Sequence, residues 1–114
     1  KIAYVNYCGL PGDKYHAVAE KYLSNGSCGV VSFGVKGGRE AAAAFMGHLK
    51  IAAIETHVAD ARTCCLHPAS STHRQMNDEQ LIAAGVQPDL VRMSCGLEDK
   101  NDLIHDIAQA LDQI

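Results

Sequence analysis

A single arginine, Arg92, stands inside the apolar run Leu90-Val91-Arg92-Met93-Ser94-Cys95, which Gly96-Leu97-Glu98-Asp99 closes ahead of a polar helix start. Strand alternation puts Leu90, Arg92 and Ser94 on one face and Val91, Met93 and Cys95 on the other. A guanidinium in an interior strand is costly unless paired, and its planar fork matches a carboxylate through two parallel hydrogen bonds. Arg92 is therefore either an anion-binding group at a strand end or half of an internal ion pair.

A second concentration of chemistry is His67-Pro68-Ala69-Ser70-Ser71-Thr72-His73-Arg74, with two histidines, three hydroxyls and an arginine in eight residues. Such a stretch between a strand and a helix is either a binding loop or a solvated connection whose hydroxyls satisfy its own backbone. His57, in the polar stretch 55–60, is a candidate ligand or base. Gly34-Val35-Lys36-Gly37-Gly38-Arg39 reads as an anion-binding turn or simply a tight strand-to-helix turn; it lacks the Lys-Ser/Thr ending of a P-loop. No Cys-x-x-Cys occurs among Cys8, Cys28, Cys64, Cys65 and Cys95, and the spacing of His67 and His73 matches no metal pattern. No metal site is expected. Cys28, Cys64, Cys65 and Cys95 sit in apolar segments and read as buried, reduced thiols.

These residues need elements to position them. Strands are expected at 2–7, 28–35, 51–54, 63–66 and 90–95, the second of them in the sheet interior. Helices are expected at 15–23 with Asn25-Gly26 as a left-handed cap, at 39–49, from an Asn77/Gln80 capping box to Gly85, and after an Asp99 or Asn101 cap. The last helix carries Leu103, Ile104, Ile107, Ala108 and Leu111 as its apolar stripe. The alternation predicts an α/β fold of the α+β two-layer kind, a mostly antiparallel sheet with helices on one face.

At 114 residues, one domain is expected over 1–114, with neither a linker nor a repeat. Hydrophobic residues at 47% and charged residues at 20% are ordinary for a globular chain. A net charge of −3 gives no basic footprint for nucleic acid, and no apolar run is long enough for a membrane span. The chain starts at Lys1 without Met and offers no obvious nucleophile–base pair, so it reads as one domain of a larger enzyme.

Taken in order, Lys36-Gly37-Gly38, His67-Pro68-Ala69-Ser70-x-Thr72-His73 and Leu90-x-Arg92-x-Ser94-x-Gly96-Leu97-Glu98-Asp99 carry a resemblance. With the final amphipathic helix they resemble the C-terminal domain of the Cys/Met-metabolism enzymes that use pyridoxal phosphate, over essentially the whole chain. Asp60-Ala61-Arg62-Thr63 and Asn77-Asp78-Glu79-Gln80 with Ala84-Gly85-Val86 are most similar to the O-acetylhomoserine sulfhydrylase branch. The resemblance implies the C-terminal domain of a fold-type I enzyme, with Arg92 holding the carboxylate of an amino-acid substrate. It also implies that backbone amides of His57 and Val58 hold that carboxylate and that Thr72 lines the mouth of the site. The family often has Ser or Asn at the position of His57, and Gly at that of Ala59.

The same resemblance implies that pyridoxal phosphate, its Schiff-base lysine and the catalytic groups belong to an upstream N-terminal domain. Lys1, Lys14, Lys21, Lys36, Lys50 and Lys100 lack the family's lysine setting, so the chain alone is expected to be inactive. The implied whole is a cytoplasmic homotetramer that replaces acetate on O-acetylhomoserine by sulfide or a thiol, giving homocysteine or methionine. Cystathionine γ-synthase and the cystathionine or methionine γ-lyases are the alternatives within the family. A free-standing regulatory module that binds an amino acid is the alternative outside it.

Overall fold

Val31, Phe33 and Val35 alternate along one strand and Val91 and Met93 along another, so pairing these strands in register builds a single apolar face. A computed structural model describing residues 1–114 shows this pairing. The strands are β1 (Ile2–Asn6), β2 (Val30–Val35), β3 (Ala53–Ile54), β4 (Cys64–Leu66) and β5 (Leu90–Ser94). The helices are α1 (His16–Tyr22), α2 (Gly38–His48), α3 (Asp78–Ala83) and α4 (Lys100–Asp112), with a 3-10 turn at Pro68–Ser70.

The five strands form one sheet in the order β1-β2-β5-β4-β3. Every pairing is antiparallel except β3 with β4. Phe33 lies opposite Val91, and Met93 lies between Val31 and Cys65. These side chains pack beneath Ala42, Phe45 and Met46 of α2 and Ala110 of α4, with Ile107 and Leu111 at the margin. Phe33 and Phe45 meet edge to face, their ring centroids 5.7 Å apart. Arg92 shares the opposite face with its cross-strand neighbours Ser32 and Leu66.

Local chemistry sets the element ends. Gly37 and Gly38 turn the chain into α2 at φ +108° and +76°, where a side chain is strained. This is a tight turn, and Arg39 is spent structurally: it donates to both Asp78 Oδ1 and the Met76 carbonyl. Asn77 and Gln80 form the expected capping box on α3, and Asp99 caps α4 by accepting from the Asn101 and Asp102 amides.

Four expectations need correction. The third strand is Ala53–Ile54 rather than 51–54, because the amides of Lys50, Ile51 and Ala52 donate to the Asp106 carboxylate instead of a ladder. The stripe on α4 is rotated: Leu103, Asp106 and Ala110 are buried, whereas Ile104 and Ala108 are exposed. Buried Asp106 replaces an apolar contact because it satisfies those three amides. Helix α1 ends at Tyr22, with the Leu23 amide on the Ala19 carbonyl, and Gly26 closes a separate turn at φ +131°. All five cysteines are free, but only Cys64 and Cys65 are buried; Cys28, ahead of β2, and Cys95, just after β5, are exposed.

Candidate functional site

The Arg92 side chain leaves the centre of the sheet beneath the loop that joins β3 to β4. Its Nη2 donates to the Thr56 carbonyl at 2.7 Å and the His57 carbonyl at 3.3 Å. Its Nε is buried and has no acceptor. A buried donor without a partner costs free energy on the order of 1–3 kcal/mol, so it marks a place where an acceptor is missing. The backbone amides of His57 and Val58 likewise donate to no protein acceptor. The peptides are trans, so with the Thr56 and His57 carbonyls turned to the guanidinium these two amides face away from it; the unpartnered donor at the fixed positive charge is Nε itself, a group suited to a carboxylate.

The loop is held from several sides. Ser94, two residues along β5 on the same face as Arg92, accepts from the Ala59 amide at 3.0 Å. Ala59 adopts φ +59°, a left-handed conformation that costs a non-glycine residue on the order of 1 kcal/mol. Beyond it, Glu98 accepts from the Thr63 amide at 2.8 Å and the Thr63 hydroxyl at 2.7 Å, and Thr63 Oγ1 accepts from the Gly96 amide at 2.8 Å. The hydroxyl and amide bonds from Thr63 lower the Glu98 pKa. The Leu97 amide reaches the Ala61 carbonyl at 2.8 Å. A Cβ on Gly96 would stand 2.5 Å from the Thr63 nitrogen, so only glycine admits this approach.

His57 and Glu55 form a pair on the loop surface, Nδ1 to Oε2 at 2.7 Å, with Asp60 Oδ2 at 3.9 Å. Ligand atoms of Glu55, Asp60 and Cys64 also gather within 4.8 Å of one another. Glu55 is already engaged by His57, and the Cys64 thiol donates to the Arg62 carbonyl at 3.3 Å. Burial and then the charges of Glu55 and Asp60 push the Cys64 thiol pKa up, away from the thiolate a metal prefers.

Arg92 thus meets the Thr56 and His57 carbonyls, on the two peptides that also carry the His57 and Val58 amides, while the His57 side chain is directed to Glu55. Thr72 is exposed, and its hydroxyl pairs with His73 Nδ1 at 2.9 Å; no hydrogen bond links it to Arg92 or to the 55–60 loop. His67, Ser70 and Ser71 of the same stretch are structural. His67 is buried, with Nδ1 2.9 Å from Ser70 Oγ and Nε2 2.8 Å from the Pro88 carbonyl. Burial lowers its pKa, and Nε2–H donating to Pro88 suits a neutral ring. Ser71 Oγ donates back to the His67 carbonyl at 2.7 Å. Sequence reasoning missed Ser94, Thr63 and Glu98 as supports, although Arg-x-Ser-x-Gly-Leu-Glu brings alternate strand residues to one face, which was the available signal.

Residues 1–112 match the family described as Cys/Met metabolism PLP-dependent enzyme. The chain is 44% identical over 111 residues to O-acetyl-L-homoserine sulfhydrylase 1 of Thermus thermophilus, covering 97% of this chain and 26% of that protein. It is 44% identical over 112 residues to homocysteine synthase of Schizosaccharomyces pombe, covering 98% and 26%. Among solved structures, an O-acetylhomoserine (thiol)-lyase from Campylobacter jejuni carrying N'-pyridoxyl-lysine-5'-monophosphate superposes with a TM-score of 0.86 at 34% identity, over 97% of this chain and 26% of that one. A cystathionine γ-lyase from Micromonospora echinospora gives 0.85 at 30% identity, over 97% and 29%. The chain therefore spans about a quarter of the length of the curated relatives it matches.

Proposed function

We propose that this chain, which belongs to the family of Cys/Met metabolism PLP-dependent enzymes, is the single C-terminal substrate-binding domain, residues 1–114, of an O-acetylhomoserine sulfhydrylase. The observation that carries the reading is the buried, acceptorless Nε of Arg92, beneath the loop whose Thr56 and His57 carbonyls orient the guanidinium. Arg92 takes the carboxylate of an amino-acid substrate in its fork, and the His57 and Val58 amides join the cradle once their two peptides rotate to turn N–H rather than C=O toward it. Thr72 lines the mouth from the following loop. The sulfhydrylase and homocysteine synthase names of the relatives at 44% identity support γ-replacement of acetate by sulfide or a thiol. The likeness to a cystathionine γ-lyase favours elimination as the second reading.

The residues present fit the substrate rather than the cofactor. All six lysines are exposed; Lys1 Nζ donates to the Leu111 carbonyl, and Lys14 and Lys21 lie over Tyr15 and Tyr22. Pyridoxal phosphate, bound by the protein's own N-terminal domain, supplies the electron sink for the chemistry at the substrate carbons. This chain's part is to fix the carboxylate end, so that the carbon chain can extend toward that domain. The full enzyme is then a cytoplasmic homotetramer. No helix here is long and apolar enough to cross a membrane.

In the holoenzyme, Arg92→Ala is expected to raise KM for O-acetylhomoserine by about ten- to a hundredfold, the worth of a charge-assisted pair. Cofactor absorbance should be unchanged. Arg92→Lys should recover only part, because charge returns without the planar fork. Homocysteine formed from O-acetylhomoserine and sulfide separates replacement from elimination, which would release 2-oxobutanoate. Loss of fold in Arg92→Ala, with substrate affinity intact in the folded remainder, would make the arginine structural.

A further inference from the structure

We infer that Ser94 is a positioning residue for the substrate carboxylate, acting through the backbone of Ala59. This rests on the substrate reading of Arg92 given above. Ser94 is buried, only 2% exposed, and its hydroxyl is spent on one loop contact, accepting from the Ala59 amide at 3.0 Å. The residue it holds is the one non-glycine position in the chain with positive φ. Left to itself, an alanine at φ +59° relaxes toward the ordinary region, and the peptides on its N-terminal side turn with it. Those peptides carry the free amides of His57 and Val58 and the Thr56 and His57 carbonyls that orient Arg92. Arg92 and Ser94 thus leave the same face of β5 and grip the same loop, the first by its carbonyls and the second by the amide that fixes its twist.

The hydroxyl needs no contact with substrate for this. It holds strain in place, so removing either the holder or the strain should have opposite consequences. Ser94→Ala frees the Ala59 amide; Ala59→Gly makes the left-handed conformation accessible without help.

The test uses the holoenzyme, with KM and kcat for the amino-acid substrate, cofactor absorbance, and thermal unfolding measured for four proteins: wild type, Ser94→Ala, Ala59→Gly and the double variant. Ser94→Ala is expected to raise KM about tenfold, as for loss of one neutral hydrogen bond with its donor left unpaired. Cofactor absorbance should stay unchanged and kcat should fall less than KM rises. In the double variant Ala59→Gly should return KM most of the way to the wild-type value. An unchanged KM in Ser94→Ala, or a rise that Ala59→Gly does not reduce, overturns the inference while leaving an Arg92 effect, and the substrate reading, intact. If Arg92→Ala also leaves KM unchanged, the substrate reading itself fails and this inference falls with it.

Discussion

Asp106 collects the amides of Lys50, Ile51 and Ala52 at 2.8, 2.9 and 3.0 Å while 3% exposed, and Gln109 Nε2 adds a fourth donor at 3.1 Å. Burial opposes its ionisation, but the donors outweigh it and the pKa ends below the ordinary carboxylate value. His67 is the complementary case: burial lowers its pKa and holds it neutral between Ser70 and Pro88. Both shifts mean that the unfolded chain binds more protons than the folded one, so stability falls as pH falls. The two pH windows differ. His67 contributes stability above its ordinary value of 6.5, and that stability begins to drain below it; Asp106 contributes above 3.8 and loses its share only at stronger acid. Urea midpoints taken from pH 7.5 down to pH 3 should therefore decline first below about 6.5, and His67→Gln should flatten that first decline while sparing the second. The same slope in His67→Gln as in wild type would mean that His67 is not the group responsible.

At the scale of elements, β5 and the residues after it organise the site. Their alternation was legible in the sequence, because Val91 and Met93 had to face a core and Arg92 and Ser94 therefore could not. The capping box on α3 and the Asp99 cap were legible for a similar reason: each depends on residues three positions apart or fewer. The short β3 and the rotated stripe of α4 were not, since both follow from one contact between Asp106 and amides more than fifty residues away in sequence. The loop clamp was hidden in the same way. Gly96 invited a generic turn, whereas the structure shows the chain passing against Thr63 with no space for a Cβ. Gly96→Ala should push the 61–63 segment away, weaken the Thr63–Glu98 and Leu97–Ala61 bonds, and lower the unfolding midpoint by roughly 2 kcal/mol equivalent. Amide exchange is the sharper measurement: the Thr63, Gly96 and Leu97 amides should lose protection while the α2 core keeps its own. Uniform loss of protection across the sheet would show instead that the glycine supports the whole fold.

For the molecule as a whole, the apolar surface is unevenly closed. The α2/α4 face is sealed around Phe45, Val35 and Val91, each at 0% exposure, which gives the chain a core of its own. The α1 side is open. The sequence places Tyr15, Val18, Ala19, Tyr22 and Leu23 on one helical face, yet only Ala19 is buried, while Tyr22 is 71% and Tyr15 58% exposed. Val5, Tyr7, Leu10, Val31, Cys28 and Cys95 line an open apolar cavity of about 580 Å³. Exposed apolar surface at both places is unusual on a protein that works alone, and water favours covering it. The chain expressed by itself should therefore fold, bind an environment-sensitive apolar dye, and self-associate with rising concentration despite its net charge of −3. Sedimentation velocity across a concentration series checks this, and Val18→Glu with Tyr22→Lys should return the species to monomer without lowering the unfolding midpoint, because neither side chain contributes to the core. A monomer at every concentration with no dye response would mean that these residues are satisfied by solvent and that the surface has no partner to cover it.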